Sequence, residues 1–254
     1  MASAARGDAW ERVRHPRGPV TRVLRRAGLS ALGTYGAYLV YGVRHPALLR
    51  SAATQAERDE ALPGDDIVTA PSWVTDFATD VAAPPADVWP WLAQMGYGRA
   101  GWYTWFPLDN GGVPSADVIV PALQEVRVGD YFPDGARAVD GFGQWRVETL
   151  DPPHALVLHS RRDVVNGYEI PPGDEPWHSF LDCTWVFVLS EPRPDATRLH
   201  VRVRAELRGK AWIAPVARAA RVLFGLGDNV MENTLLRGIR ERAERVRASI
   251  RVAE

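Results

Sequence analysis

VAAPPADVWPWLAQMGYGRAGWYTWFPLDN, residues 81–110, is the stretch on which the fold turns. Pro84-Pro85 opens a helix, because proline fits the first helical turn, where its missing N–H is no loss. Val88, Trp91, Leu92 and Met95 then recur on one face at helical spacing, and Gly96 and Gly98 end the helix. Aromatics follow on a glycine-rich loop that closes on Asp109, Asn110 and Gly111-Gly112. A helix feeding such a loop builds the mouth of a pocket more readily than a plain core. Trp89, Trp102, Tyr103, Trp105, Asp109 and Asn110 are therefore the expected ligand contacts. Trp91 shares a face with Leu92 and Met95 and is assigned to the core. The competing reading of the tryptophans is ordinary packing. For Asp109 and Asn110 it is capping of the next turn through side-chain to backbone hydrogen bonds.

Upstream of this stretch, Ser72–Val81 alternates as a strand. Downstream, residues 97–143 are loop-rich, with a short helix around Ala116–Leu123 and a strand containing a turn over Val126–Phe132. Gln144–Leu150, Ala155–Arg161 and Leu181–Leu189 read as strands. Thr197–Leu207 alternates almost perfectly, with Leu199, Val201, Val203, Ala205 and Leu207 inward and Arg198, His200, Arg202, Arg204 and Glu206 outward. The arginine row reads as the solvated face of a sheet, with binding of phosphate or an anionic head group as the alternative. Ala211–Val252 carries Val216, Ala220, Leu223, Phe224, Val230, Met231, Leu235 and Ile239 at helical spacing, with a kink expected at Gly225 and Gly227. Strand, helix, a run of antiparallel strands and a long terminal helix make an α+β chain. Its sheet can wrap the terminal helix in a helix-grip (START-like) fold.

The chain resembles the SRPBCC superfamily of START-like and polyketide-cyclase-like proteins, in particular a bacterial group within it. The resemblance rests on Ala83-Pro84-Pro85, Val88-Trp89-Pro90-Trp91-Leu92, Gln94–Tyr103, Leu108-Asp109-Asn110, Ser115-Ala116-Asp117 and Val128-Gly129-Asp130. It continues in Thr197-Arg198-Leu199 with Arg202 and Arg204, in Met231-Glu232, and in the lead-in Leu62-Pro63-Gly64-Asp65-Asp66. It spans about residues 55–245. The fold leaves a cavity between sheet and helix, and Trp185 and Met231 are further expected ligand contacts. It does not imply one activity, since such folds host binding, transport and catalysis. Trp105-Phe106-Pro107 stands where the group often has an aspartate after its aromatic pair, which points toward a more apolar ligand.

The expected organisation is a flexible basic arm over 1–21, an apolar helix within 22–50, a polar helix and linker over 51–70, and the START-like domain over 71–254. Residues 1–50 hold nine arginines against Asp8 and Glu11, so a basic lead precedes a mildly acidic remainder of a chain whose net charge is −1. No global field favours nucleic acid. Residues 27–43, AGLSALGTYGAYLVYGV, run without a charge. That is the layout of a short membrane helix, and equally of a helix docked on the chain's own domain. Membrane-associated and cytoplasmic locations are left equally open, and the oligomeric state is not readable.

No residue announces catalysis. The weak candidates are Asp109, Tyr103 and His159, the last facing either solvent or a cavity; His178 is read as a surface or lid residue in its loop. No His–carboxylate pair is visible to support general-base work. The six histidines lack paired ligand spacing, so no metal is expected. With no dinucleotide fingerprint or phosphate loop, no cofactor is expected either. Cys183, the single cysteine, reads as a buried inert thiol. The function read from the residues is binding of a hydrophobic small molecule, lipid or polyketide-like, in an aromatic-lined cavity. Alternatives are a cyclase/dehydratase- or hydrolase-type enzyme acting on such a molecule, and a membrane-tethered interaction module.

Overall fold

The computed structural model describes residues 52–104, 110–135, 143–163, 168–170, 174, 179–209 and 214–253, together with Val40 and Arg44. Within 214–227, and at residue 253, only the backbone is described. The elements in chain order are α1 (Gln55–Asp59), β1 (Trp73–Val81), α2 (Pro85–Ala93), a 3-10 turn (Pro121–Leu123), β2 (Tyr131–Pro133), β3 (Gln144–Asp151), β4 (Ala155–Asp163), β5 (Phe180–Arg193), β6 (Ala196–Arg208) and α3 (Ala214–Ala253). The strands form one antiparallel sheet in the order β1-β6-β5-β4-β3-β2. The curved sheet wraps the C-terminal helix, so the fold is α+β and helix-grip.

Period-two alternation makes the sheet's inner face. Leu150, Leu156, Phe187, Val201 and Phe77 stand in register across five strands. The next inner row is Val147, Leu158, Trp185 and Val203. Against these rows pack Val88, Trp91, Leu92 and Met95 of the α2 region, and Leu235, Leu236, Ile239 and Ala243 of α3, in one buried cluster. Burial of a large apolar side chain contributes about 1.5–3 kcal/mol, so this contiguous cluster is what holds helix to sheet. Asp195 turns the β5–β6 hairpin in the left-handed region and accepts from Arg247 (2.7 Å) and Arg251 (3.3 Å), tying the far end of α3 to the sheet.

Several elements differ from the sequence expectations. The helix expected at 116–123 is only the 3-10 turn, and the strand expected over 126–132 is only Tyr131–Pro133, because the chain turns at Gly129 with φ +94°. The helix read within 51–66 is the five-residue α1, closed at its start by a Thr54/Glu57 capping box. α3 continues through Gly225 and Gly227 with no break. An isolated helical glycine costs only about 1 kcal/mol, which a 40-residue helix absorbs.

The outward arginine row is not solvated. Residues 52–68 lie across it. Leu62 packs on Val157 and Val186, and Gly64, at φ +83°, lies so close that a Cβ there would meet Val157 Cγ1 at 2.6 Å. Arg198 holds Glu57 at 2.7 Å and pulls its carboxyl down to about 2. Arg204 donates to the Val68 carbonyl at 3.0 and 3.2 Å. Arg202, 2% exposed, uses all five guanidinium N–H groups: on Asp76 (2.7 Å), Asp65 (2.8 Å) and the carbonyls of Glu60, Glu57 and Arg58 (2.7, 2.8 and 3.0 Å). The last carbonyls of α1 are thus capped by a cation, which the helix dipole favours. The row is neither a wet face nor a free anion site; it clamps the lead-in segment.

The uncharged run 27–43 lies outside the described residues, Val40 excepted. Among the described residues, no helix is long and apolar enough to cross a membrane.

Candidate functional site

The loop after α2 is held over the sheet–helix core by polar clips. Arg99 folds back to donate to the carbonyls of Met95 and Ala93, both at 2.8 Å, and lies over the Phe132 ring. It thereby closes the C-terminal end of α2. Gln94, fully buried, donates to the Val118 carbonyl (3.1 Å) and accepts from the Val120 N–H (2.9 Å), fixing the second half of the loop. Asn110 accepts from the Trp102 N–H (3.1 Å) and donates to Ser115 Oγ (2.8 Å). These side-chain bonds tie the start of the loop to its far side rather than capping the turn that follows Asn110. Gly101 is required there: a Cβ would meet Ser115 Oγ at 2.5 Å, and its φ is +84°.

Tyr103 is the keystone of the loop. Its φ of +59° is unusual for a residue with a side chain. Four contacts keep it there: its N–H on Ser115 Oγ, its hydroxyl donating to the Trp91 carbonyl (both 3.0 Å), an edge contact with the Trp91 ring, and the Arg242 guanidinium over its own ring. Burial pushes its phenol well above the usual range, so it is poorly suited to acid–base work near neutrality. Arg242 also donates to the Ala116 carbonyl (2.8 Å) and pairs with Asp117 (3.1 Å), joining α3 to the loop. At Gly238 the helix meets Tyr103 directly: a Cβ would lie 2.3 Å from the Tyr103 carbonyl oxygen and 2.7 Å from its Cβ. Gly238→Ala is therefore expected to push helix and loop apart. It should cost about 1–3 kcal/mol despite alanine's better helix propensity, measurable as a shifted urea midpoint. An unchanged or raised midpoint would contradict that close approach.

Beneath this loop lies the chemistry the fold collects. Trp102 stacks on Trp185 at 5.2 Å and 28° between ring planes. Trp185 in turn meets Trp145 at 5.2 Å and Phe187 at 5.1 Å. The Arg162 guanidinium lies over Trp145 at 4.8 Å and is held by Asp134 and Ser160. Glu232 of α3 comes down into this cluster, 1% exposed. Burial, and secondarily Asp228, raise its carboxyl far above the usual carboxylate range. The Trp185 indole N–H opposes that shift without closing a hydrogen bond of normal geometry. The indole nitrogens of Trp102, Trp145 and Trp185, Arg162 Nη2 and Glu232 Oε2 are all buried with no hydrogen-bond partner among the described residues. Cys183 lies on the same strand as Trp185 and donates to the Ser160 carbonyl. Its thiol is buried, as expected, and burial pushes it up to about 12.

The expected site residues divide accordingly. Trp102, Tyr103 and Trp185 come together in one buried cluster, and Trp89 packs on its edge. Met231 precedes Glu232 and is half-buried. Trp105, Asp109 and His178 lie outside the described residues. His159 sits on the outer face of the sheet, away from the tryptophans. Its Nε2 lies 2.6 Å from Asp182, with Glu148 3.5 Å from Nδ1. His200 pairs with Asp76 at 2.9 Å on the same outer face. Two His–carboxylate pairs thus exist where none was read from the sequence. Strand register makes both of them, and both stand on the sheet face away from α3, His200–Asp76 buried there beside Arg202. Among the described residues no group of metal-ligating side chains is assembled.

Glu232, Arg162 and Trp145, which also stand in this cluster, were not among the expected site residues. A signal for Glu232 was present: 232, 235, 239 and 243 follow helical spacing, so a carboxylate stands on the helix's apolar stripe.

No family model and no curated protein matches this chain. Among solved structures, it is similar to a structural-genomics protein from Mesorhizobium loti: 17% identity, 66% of this chain and 96% of that chain covered, TM-score 0.35. It is also similar to the Zhui aromatase/cyclase from Streptomyces sp. R1128: 14% identity, 68% and 94% covered, TM-score 0.31. An HSP90 activator from Plasmodium falciparum matches at 12% identity, with 52% and 71% covered and a TM-score of 0.30. Likenesses this low carry no argument about function.

Proposed function

We propose that the chain binds a hydrophobic small molecule, lipid or polyketide-like, between the inner face of the sheet and α3, against Trp102, Trp145 and Trp185. The observation that carries this reading is the contiguity of indoles whose buried N–H groups close no hydrogen bond of normal geometry among the described residues. An unmet buried donor costs about 1–3 kcal/mol, and folds rarely gather several in one place without a use for them. Flat apolar area with a few polar handles is the usual make-up of a small-molecule site. The loop clips support the same reading, since they hold Trp102 and Tyr103 in fixed positions, and preorganised contacts cost less entropy on binding.

Two measurements test it. The full chain, extracted with organic solvent and analysed by mass spectrometry, is expected to release a co-purifying apolar compound or to take one up from a defined mixture. Tryptophan fluorescence is expected to be quenched on titration with a planar aromatic probe such as anthracene. Trp185→Leu should weaken that binding by about tenfold or more, given the roughly 0.5–1.5 kcal/mol of an aromatic pair plus the lost contact area. Absence of both a bound compound and any saturable quenching would sink the proposal.

A further inference from the structure

We propose that Glu232 sets which ligand is accepted: its carboxyl donates a hydrogen bond to a carbonyl or phenolic oxygen of a planar aromatic ligand, whose other oxygens take the indole N–H groups around it. This rests on the binding reading above and names the ligand class of that same site.

The unmet groups in the cluster are strongly unbalanced. Trp102, Trp145 and Trp185 each present an indole N–H, and Arg162 presents Nη2; all four are donors only. The one remaining group is the Glu232 carboxyl, which donates when neutral. A complementary ligand therefore carries several acceptors. A fatty chain offers none along its length, and a cationic ligand offers none and meets Arg162. Neutral carbonyl and phenol oxygens fit, and a cluster of flat indole rings suits a flat ring system carrying them.

The position of Glu232 also argues for use rather than tolerance. It stands on the stripe of α3 that buries Leu235, Leu236 and Ile239, where leucine would pack without penalty. Burial, and secondarily its neighbour Asp228, raise the cost of holding a charge there, which favours the protonated, donating form of the carboxyl. A site built to bond a ligand oxygen rejects the analogue lacking it, because its own polar groups are then left unpaired.

The test uses the full chain and two probes of one shape: 1,8-dihydroxyanthraquinone, with its clustered oxygens, and anthracene, with none. Binding is followed by tryptophan quenching for the wild type, Glu232→Gln and Glu232→Leu, after thermal melting shows that each folds. The wild type is expected to prefer the quinone by about tenfold, the value of one well-made buried hydrogen bond. Glu232→Leu should abolish most of that preference while anthracene affinity stays within about twofold. Glu232→Gln, whose amide still donates, should keep the larger part of it. If Glu232→Leu does not fold, Glu232→Met takes its place. A wild type that binds both probes equally, or a preference untouched by the leucine or methionine variant, overturns the role of Glu232 and leaves the pocket standing. If neither probe binds the wild type, the pocket reading fails and this inference falls with it.

Discussion

Arg202→Ala is expected to destabilise the chain by about 3–5 kcal/mol, the usual result of removing one partner from a buried ion pair. Its guanidinium is 2% exposed and spends every N–H it has, two on carboxylates and three on the closing carbonyls of α1. Without it, Asp76 keeps His200 but loses this guanidinium, and Asp65 loses the shorter of its two ion pairs to the sheet. Arg202→Lys separates charge from geometry. Lysine keeps the charge, but its three donors on one nitrogen cannot reach five acceptors spread around a planar fork. It should recover only part of the loss, leaving the chain about 1–3 kcal/mol below the wild type. Urea unfolding measures both variants. Limited proteolysis should also cut within 52–68 sooner in Arg202→Ala. A variant within about 0.5 kcal/mol of the wild type, the range of ordinary surface substitutions, would mean the clamp is not what holds the lead-in.

The same residue shows where sequence reading stops. The alternation in β6 placed Leu199, Val201, Val203 and Ala205 inward correctly, because period two depends only on the strand itself. It could not say what lies on the other side. Water and a docked segment produce the same polar row, and 52–68 is too short and irregular to announce itself as a cover. The helix stripe of α3 and the apolar face of α2 were legible for the same reason as β6. The loop over 94–124 was legible as a glycine- and aromatic-rich loop after a helix but not as a mechanism. Its glutamines, arginine, asparagine and serine work through hydrogen bonds between residues up to 30 positions apart within the loop, such as Gln124 to Gln94. The His–carboxylate pairs were invisible because strand register alone brings β4 to β5 and β1 to β6.

Glu232→Gln is expected to gain stability over the wild type as pH rises, and the gain should grow from near pH 4.5 upward. A glutamate ionises near 4.5 in the unfolded chain, whereas burial and Asp228 hold the folded carboxyl neutral to much higher pH. Below 4.5 both states carry the proton, and the group adds no pH dependence. Above it the unfolded chain releases a proton the folded chain keeps, so ionisation favours unfolding. Wild-type stability then falls by about 1.4 kcal/mol per pH unit until the folded carboxyl ionises as well. Glutamine cannot ionise and is spared that loss. Its amide brings its own unmet polar atoms, but their cost is the same at every pH. The diagnostic is therefore the slope of the difference between variant and wild type in urea unfolding from pH 4 to 7, rather than its value at one pH. Parallel curves would mean that Glu232 is not buried as a neutral acid. A diverging pair would show a fold that gives up stability near neutrality to keep a proton among its tryptophans, the kind of exchange seen where a site is maintained for binding.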